Sequence, residues 1–258
     1  RTKVVRGGVK VISEEDLIPE KESVLVYTAG GYIKRTDPGE YRVQKRGGVG
    51  VVDLDTKEED FVTHLLTANT HSDLLFFTDK GKCYQIKMYD IPEGRRATKG
   101  KSIMNFLQLG SDEKVNSILA MPKALKNVSL SIMMVTKDGT AKKVSADSFK
   151  DVRRNGIIAI KLSQGDMLMS TLFTEKGDEV ILATRKGQAI RFRESDIREM
   201  GRSAGGVRGM KLGKGDILIG ADVVKKDAKG PMFLVMMENG FGKRTALKEY
   251  KTQKRGGS

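Results

Sequence analysis

The sequence predicts an all-β protein, a propeller-like array of about five, or six, four-stranded antiparallel blades. Two observations predict it. Five segments align on a turn glycine: VLVYTAGGYIKRT (24–36), LLFFTDKGKCYQIK (74–87), IMMVTKDGTAKKV (132–144), VILATRKGQAIRF (180–192) and FLVMMENGFGKRT (233–245). Their glycines, Gly31, Gly81, Gly139, Gly187 and Gly240, are 50, 58, 48 and 53 residues apart, a period that suits one four-stranded blade per repeat.

Each segment opens with four or five apolar, mostly β-prone residues, turns through a polar stretch, and closes with a second short strand. Asp138-Gly139 and Asn239-Gly240 are strong hairpin signals, because glycine accepts a positive φ at no steric cost. The whole chain, 1–258, reads as a single domain, with 1–23 as a lead-in. Within that lead-in, RTKVVRGGVKVI (1–12) is expected to supply an early strand or a tether. The repeats then fall near 24–50, 74–103, 132–162, 180–212 and 233–258. Short apolar segments between the hairpins supply further strands: HLLTAN (64–69), ILAMP (118–122), STLF (170–173) and IGADVV (219–224), with IIAIKL (157–162) and VRGMKL (207–212) after the basic stretches. A helical period is not sustained anywhere; KEYKT and SDIREM are single-turn candidates at most. A β-sandwich with chance similarity between hairpins is the alternative, and five matches to one template weigh against it.

Composition narrows the function. The chain carries 47 basic and 33 acidic residues, a net charge of +14 that favours a polyanionic partner. No stretch approaches the roughly 18–20 apolar residues of a membrane span, and RTKVVRGGVK lacks the apolar run of a secretory signal. The single cysteine, Cys83, excludes an intramolecular disulfide framework and fits a reducing, cytoplasmic setting.

The basic residues recur in place. The stretch QKRGGVG (44–50) begins 13 residues after Gly31, and QKRGGS (253–258) begins 13 after Gly240. The other repeats hold RRATKGK (95–101), RRNG (153–156) and GRSAGGVRG (201–209) in the matching place. Residues 240–258 hold six basic residues and one acidic, whereas DLDTKEED (53–60) holds five acidic and one basic, and SEEDLIPEKE (13–22) is likewise acidic. In a radial array equivalent positions share one rim, so the basic ones form a band there.

Other chemistries fit poorly. The run GRRATKGKS (94–102) ends like a phosphate-binding P-loop but has five residues between its glycines where that motif needs four, in a hairpin context. His64 and His71 have no cysteine pair and suggest no metal site, and no cofactor is expected. Cys83 reads as a small core or rim residue. The twelve methionines, Met133-Met134 and Met236-Met237 among them, read as core filling.

QKRGGVG resembles the box motif, close to QRRGGKG, of the C-terminal domain family of the bacterial DNA gyrase A subunit. SEEDLIP, GYIKRT, EDFV, LLTANTHSDLLFFT, GVRGMKLGKGD and NGFGKRTALKEY are also similar to that family, so the resemblance covers essentially the whole chain. It implies a β-pinwheel whose neighbouring blades share strands, and whose basic perimeter wraps duplex DNA right-handedly. In the intact type II topoisomerase such a wrap leads to negative supercoiling. The implied partners are double-stranded DNA, the gyrase A catalytic core and, through it, the gyrase B subunit. Two departures stand out. Val49-Gly50 replaces the family's Lys-Gly, and the sequence ends inside the fifth box where the family has six repeats. A truncation or a five-bladed form would account for the second. Five blades would point to the topoisomerase IV paralogue, and the intact QKRGG core at 44–48 to gyrase.

Wrapping needs phosphate contacts in register, not base readout. Lys45 and Arg46 are therefore assigned to phosphate, Gln44 to an amide hydrogen bond, and Gly47, Gly48 and Gly50 to loop shape. The same reading takes in Arg95, Arg96, Lys99, Lys101, Arg153, Arg154, Arg202, Arg208, Lys254 and Arg255 in the other boxes. It extends to the hairpin residues Lys34, Arg35, Lys142, Lys143, Arg191, Lys243 and Arg244, for which a role in solubility alone is the competing reading. A propeller-like scaffold for protein or RNA is the alternative function.

Overall fold

The computed structural model describes residues 14–41, 60–122 and 129–257. The strands, in chain order, are β1 (Glu22–Thr28), β2 (Tyr32–Thr36), β3 (Val62–Asn69), β4 (Asp73–Thr78), β5 (Lys82–Lys87), β6 (Lys101–Ser102) and β7 (Val115–Ala120). They continue as β8 (Leu130–Thr136), β9 (Thr140–Ser145), β10 (Ile157–Ile158), β11 (Leu168–Glu175), β12 (Glu179–Thr184), β13 (Ala189–Arg193), β14 (Val207–Arg208), β15 (Leu218–Val224), β16 (Met232–Met236) and β17 (Gly242–Ala246). The five expected hairpins are β1–β2, β4–β5, β8–β9, β12–β13 and β16–β17. A 3-10 turn follows each one, and the two single-turn candidates of the sequence are the last two of these, Glu194–Asp196 and Leu247–Glu249.

The chain is all-β, and its blades share strands. Three sheets have four strands, in the orders β3-β1-β2-β6, β10-β5-β4-β7 and β11-β8-β9-β14; a fourth has three, β13-β12-β15, and a fifth only β16 and β17. Each complete sheet takes one flanking strand from the linker after its hairpin and the other from beyond the next hairpin. Five four-stranded blades were expected; three are complete among the described residues, because each hairpin draws both flanks from later sequence. The lent strands are shorter than the apolar runs 157–162 and 207–212 suggest. After two residues the backbone pinches onto a turn tip: Ala159 N and Ile160 N both donate to Gly81 O, at 2.8 and 3.1 Å, as Gly209 N and Met210 N do to Gly139 O.

The chain segregates into two compact units, 1–72 with 87–101, and 73–86 with 102–258. The second repeat is thus divided, its hairpin in one unit and its basic loop in the other. In the larger unit β8 is buried along its whole length. Its alternation sends Ile132 and Met134 into one apolar cluster, with Leu75, Phe77 and Phe149, and Met133 and Val135 into another, with Val180, Leu182 and Phe192. Met133 and Met134 fill core, as expected, but Met236 and Met237 are 62% and 61% exposed. Their hairpin has no flanking strand among the described residues.

The hairpin turns share a device the sequence reading missed. Thr28, Thr78, Thr136 and Thr184 each stand three residues before the turn glycine. Each hydroxyl accepts from the amide four residues on, at 3.1 to 3.4 Å. Thr28 Oγ1 also donates to Asp60 Oδ2 at 2.7 Å, and Thr78 Oγ1 to Glu113 Oε1 at 2.6 Å; Thr184 hydrogen-bonds Asp216. Burial raises the pKa of Asp60, Glu113 and Asp216, but these bonds, backbone amides and nearby lysines outweigh it and hold all three below the ordinary carboxylate range. The fifth turn lacks this device: Met237 stands at the threonine position, and a thioether has no proton to donate to a carboxylate.

Candidate nucleic-acid interface

The four described basic stretches form loops that leave one hairpin and close on the second strand of the hairpin before it. Two consecutive strand positions hold each loop. The residue four beyond the turn glycine fastens the loop's start. In the first hairpin Arg35 Nε donates to Ile91 O at 2.6 Å, its guanidinium pairs with Glu93 at 3.3 Å, and Gly94 N donates to Arg35 O at 2.9 Å. In the second, Gln85 Oε1 accepts from Val152 N at 2.8 Å. In the third, Lys143 pairs with Glu194 while Met200 N donates to Lys143 O at 2.8 Å. In the fourth, Arg191 pairs with Glu179 and donates to Leu247 O and Tyr250 O at 3.0 and 3.1 Å, and Gln253 N donates to Arg191 O at 2.9 Å.

The residue three beyond the turn glycine lies beneath the loop. Lys34 is 2% exposed and Lys142 fully buried. Lys34 Nζ donates to Arg96 O and, at 2.7 Å, to Thr98 O. Lys142 Nζ donates to Arg202 O and, at 2.8 Å, to Ala159 O. Arg96 and Arg202 occupy the same loop position, four residues before Gly100 and Gly206. Burial, and then the Arg202 guanidinium, lower the Lys142 pKa to about 8. The second and fourth hairpins put Tyr84 and Ile190 in this place, both buried. Tyr84 donates to Glu113 Oε2 at 2.9 Å.

Each loop ends on a positive-φ glycine: Gly100 at 83°, Gly156 at 74°, Gly206 at 93° and Gly256 at 82°. At Gly100 and Gly206 backbone proximity also excludes a side chain, since a Cβ would stand 2.6 Å from Ile33 O and 2.8 Å from Ala141 O.

The expected site residues therefore divide. Arg95, Lys101, Arg153, Arg154, Arg208, Lys243, Arg244 and Lys254 are exposed. Arg96, Lys99, Arg202 and Arg255 are half-buried. Lys99 lies 4.1 Å over the Tyr32 ring, and Arg255 donates to Asp196 O and Arg208 O at 2.9 and 3.1 Å. Lys34 and Lys142 are corrections: buried and committed to carbonyls, they offer nothing to a phosphate, nor are they there for solubility. Arg35, Lys143 and Arg191 are half-buried in ion pairs that fasten loops. Gln44, Lys45, Arg46, Gly47, Gly48 and Gly50 lie outside the described residues. The signal that could have found the buried lysines was in the aligned hairpins, which put tyrosine and isoleucine at the same position.

The remaining sequence candidates have structural partners. His71 Nε2 lies 2.8 Å from Ile18 O, and Cys83 is fully buried, its thiol pKa pushed well up by burial. The P-loop-like run is the loop ending on Gly100. Among the described residues no helix is long and apolar enough to cross a membrane.

The family model described as "DNA gyrase C-terminal domain, beta-propeller" matches residues 22–69, 72–120, 131–175, 178–225 and 234–258, one match per repeat. The DNA gyrase A subunits of Staphylococcus epidermidis and Staphylococcus aureus are each 39% identical over 257 residues. Those alignments take in 100% of this chain and 29% of each relative's length. A solved DNA gyrase A C-terminal domain superposes with a TM-score of 0.78 at 31% identity, covering 92% of this chain and 75% of that one. The C-terminal domain of DNA topoisomerase IV gives 0.72 at 25% identity, covering 93% and 72%.

Proposed function

Because the chain belongs to the DNA gyrase C-terminal domain family, we propose that it binds duplex DNA with little regard to sequence and wraps it chirally. Within intact gyrase that wrap would present the strand-passing core with a crossing of fixed hand, and so support negative supercoiling. The partners are then double-stranded DNA, the gyrase A catalytic core and, through it, the gyrase B subunit, and the compartment is the cytoplasm.

One observation carries this reading: exposed arginine or lysine recurs in every described basic loop, at Arg95 and Lys101, at Arg153 and Arg154, at Arg208, and at Lys254. Recurrence within the same loop of each structural repeat suits a polyanion of regular charge spacing. Phosphates tolerate any sequence, and arginine grips them with a planar pair of N–H donors. By resemblance, Lys45 and Arg46 belong to the same set, with Gln44, Gly47, Gly48 and Gly50 shaping their loop.

Fluorescence anisotropy with duplexes of increasing length tests this. Affinity should climb steeply with length and be indifferent to sequence. If about 6–10 phosphates are contacted, it should fall by about 10³–10⁵ between 50 and 200 mM salt. A flat length dependence, or a strong preference for one sequence, would remove the wrapping reading.

A further inference from the structure

We propose that Lys34 and Lys142 are positioning residues for DNA: by drawing loop carbonyls inward, each turns the next amide N–H outward as a phosphate donor. The proposal rests on the DNA-wrapping reading above. Two lysines at equivalent places in the first and third hairpins are buried, and each gives its ammonium to the carbonyl four residues before the loop glycine, Arg96 O or Arg202 O. Neither lysine is required by the hairpin. Ile190 fills the same strand position in the fourth hairpin at 1% exposure, without the desolvation of an ammonium.

What the lysine changes is the direction of a peptide plane. All described peptide bonds are trans. In a trans unit the C=O and the following N–H point oppositely. With Arg96 O and Arg202 O drawn onto the buried ammonium, the N–H groups of Ala97 and Ser203 face the other way. Ala97 and Ser203 are both exposed, and their side chains are small enough for a phosphate to approach the backbone. Exposed basic side chains stand close by in sequence, Arg95 and Lys101 in one loop and Arg208 in the other. An outward amide beside an arginine or lysine makes a donor pair for one phosphate. Gln253 N, the anchored amide of the fourth loop, is spent on Arg191 O, as Gly94 N and Met200 N are on Arg35 O and Lys143 O. The fourth loop, with Ile190 beneath it, has no buried ammonium to turn a carbonyl inward.

Two measurements on this chain test the assignment. In ¹⁵N-labelled protein titrated with a short duplex, the Ala97 and Ser203 amides should shift strongly, while Gln253 N–H moves little. Unmoved Ala97 and Ser203 amides, in a protein that binds the duplex, would overturn the proposal. The second measurement compares Lys142→Met with wild type in salt-dependent binding to a long duplex. A buried lysine touches no phosphate, yet its loss should lower the slope of log K against log salt by about one, the equivalent of one lost phosphate contact. Energy transfer between duplex ends should fall in parallel. A folded Lys142→Met protein with the wild-type slope would also overturn the proposal; should that variant not fold, the amide titration decides alone. If the wild-type chain shows no length-dependent binding, the wrapping reading fails, a result separable from either outcome above.

Discussion

In the loop over the third strand pair, five residues lie between the anchored Met200 and Gly206; in the loop over the fourth pair, only two lie between Gln253 and Gly256. The strand residue beneath the first is Lys142, and beneath the second Ile190. Residues 94–100 over Lys34 repeat the longer form. The three extra residues bring carbonyls over the strand, and a carbonyl turned towards the core needs a donor. Lysine supplies three donors at the end of a long apolar stem; isoleucine supplies none. At the short loop the neighbouring Arg191 fastens the segment, through Leu247 O and Tyr250 O. Identity at this strand position thus follows the length of the loop it supports.

A lysine placed under the short loop should have the largest effect. Ile190→Lys buries an ammonium among Phe192, Leu182 and Val180 with no inward carbonyl to receive it. The expected loss is about 3–5 kcal/mol, the usual result of an uncompensated buried charge. Urea denaturation measures it. A loss below about 1 kcal/mol would mean that the short loop can rearrange to accept a lysine, and that loop length does not decide the residue.

The hairpins were legible because a turn glycine between apolar runs leaves the backbone few alternatives, and five copies reinforced one another. Strand sharing was legible only through resemblance. The pairing of β14 with β9, Val207 opposite Ala141 and Arg208 opposite Thr140, links segments more than 60 residues apart by two residues, too short a run for any periodicity. The site was half legible. Arg153, Arg154 and Arg208 are exposed as a basic loop suggests, but Lys142 and Lys143 are consecutive and have opposite fates. Charge alone cannot say which of two adjacent strand residues points inward. The apolar residues Tyr84 and Ile190 could have said it, by marking that register position as core. The turn threonines were missed because one hydroxyl in a polar turn carries no signal until its carboxylate partner, 32 residues away for Thr28 and Asp60, is brought to it.

Lys142 ionises near 8 in the folded chain, against an ordinary 10.5, through burial and then the adjacent Arg202 guanidinium. Below about pH 8 both folded and unfolded states hold the proton, and the folded state bears the whole desolvation cost. Between about 8 and 10.5 the unfolded chain binds a proton that the folded chain does not, so this group's contribution to stability rises with pH across that window. Neutral lysine keeps two N–H donors, one for Ala159 O and one for Arg202 O, so the loop stays fastened while the cost is relieved. The gain is about 3 kcal/mol over the window. Unfolding midpoints of wild type and Lys142→Met, measured from pH 7.5 to 10.5, should differ increasingly in favour of wild type. A difference that stays level would show that the ammonium is not desolvated in the folded chain.

The smallest effect, and the finest distinction between the two loops, lies at their closing glycines. Gly206 and Gly256 share a positive φ, at 93° and 82°, so alanine is strained at either. Their surroundings differ. A Cβ on Gly206 would stand 2.8 Å from Ala141 O, with Lys142 Cβ at 3.1 Å, in a strand that carries the buried ammonium and cannot withdraw. A Cβ on Gly256 would find nothing nearer than Arg208 O, at 3.7 Å. Gly256→Ala should therefore cost about 1 kcal/mol, the conformational term alone. Gly206→Ala adds a backbone collision to that term and should cost about 2 kcal/mol or more. Because the longer loop is tied down at both Met200 and Gly206, relief of the collision must also move Arg202 O off Lys142 Nζ. The two variants, compared by urea denaturation, should thus differ by about 1 kcal/mol, and only Gly206→Ala should make the Ser203 amide exchange faster with solvent. Equal costs would mean that the lysine-bearing loop is held no more closely to its strand than the loop over Ile190.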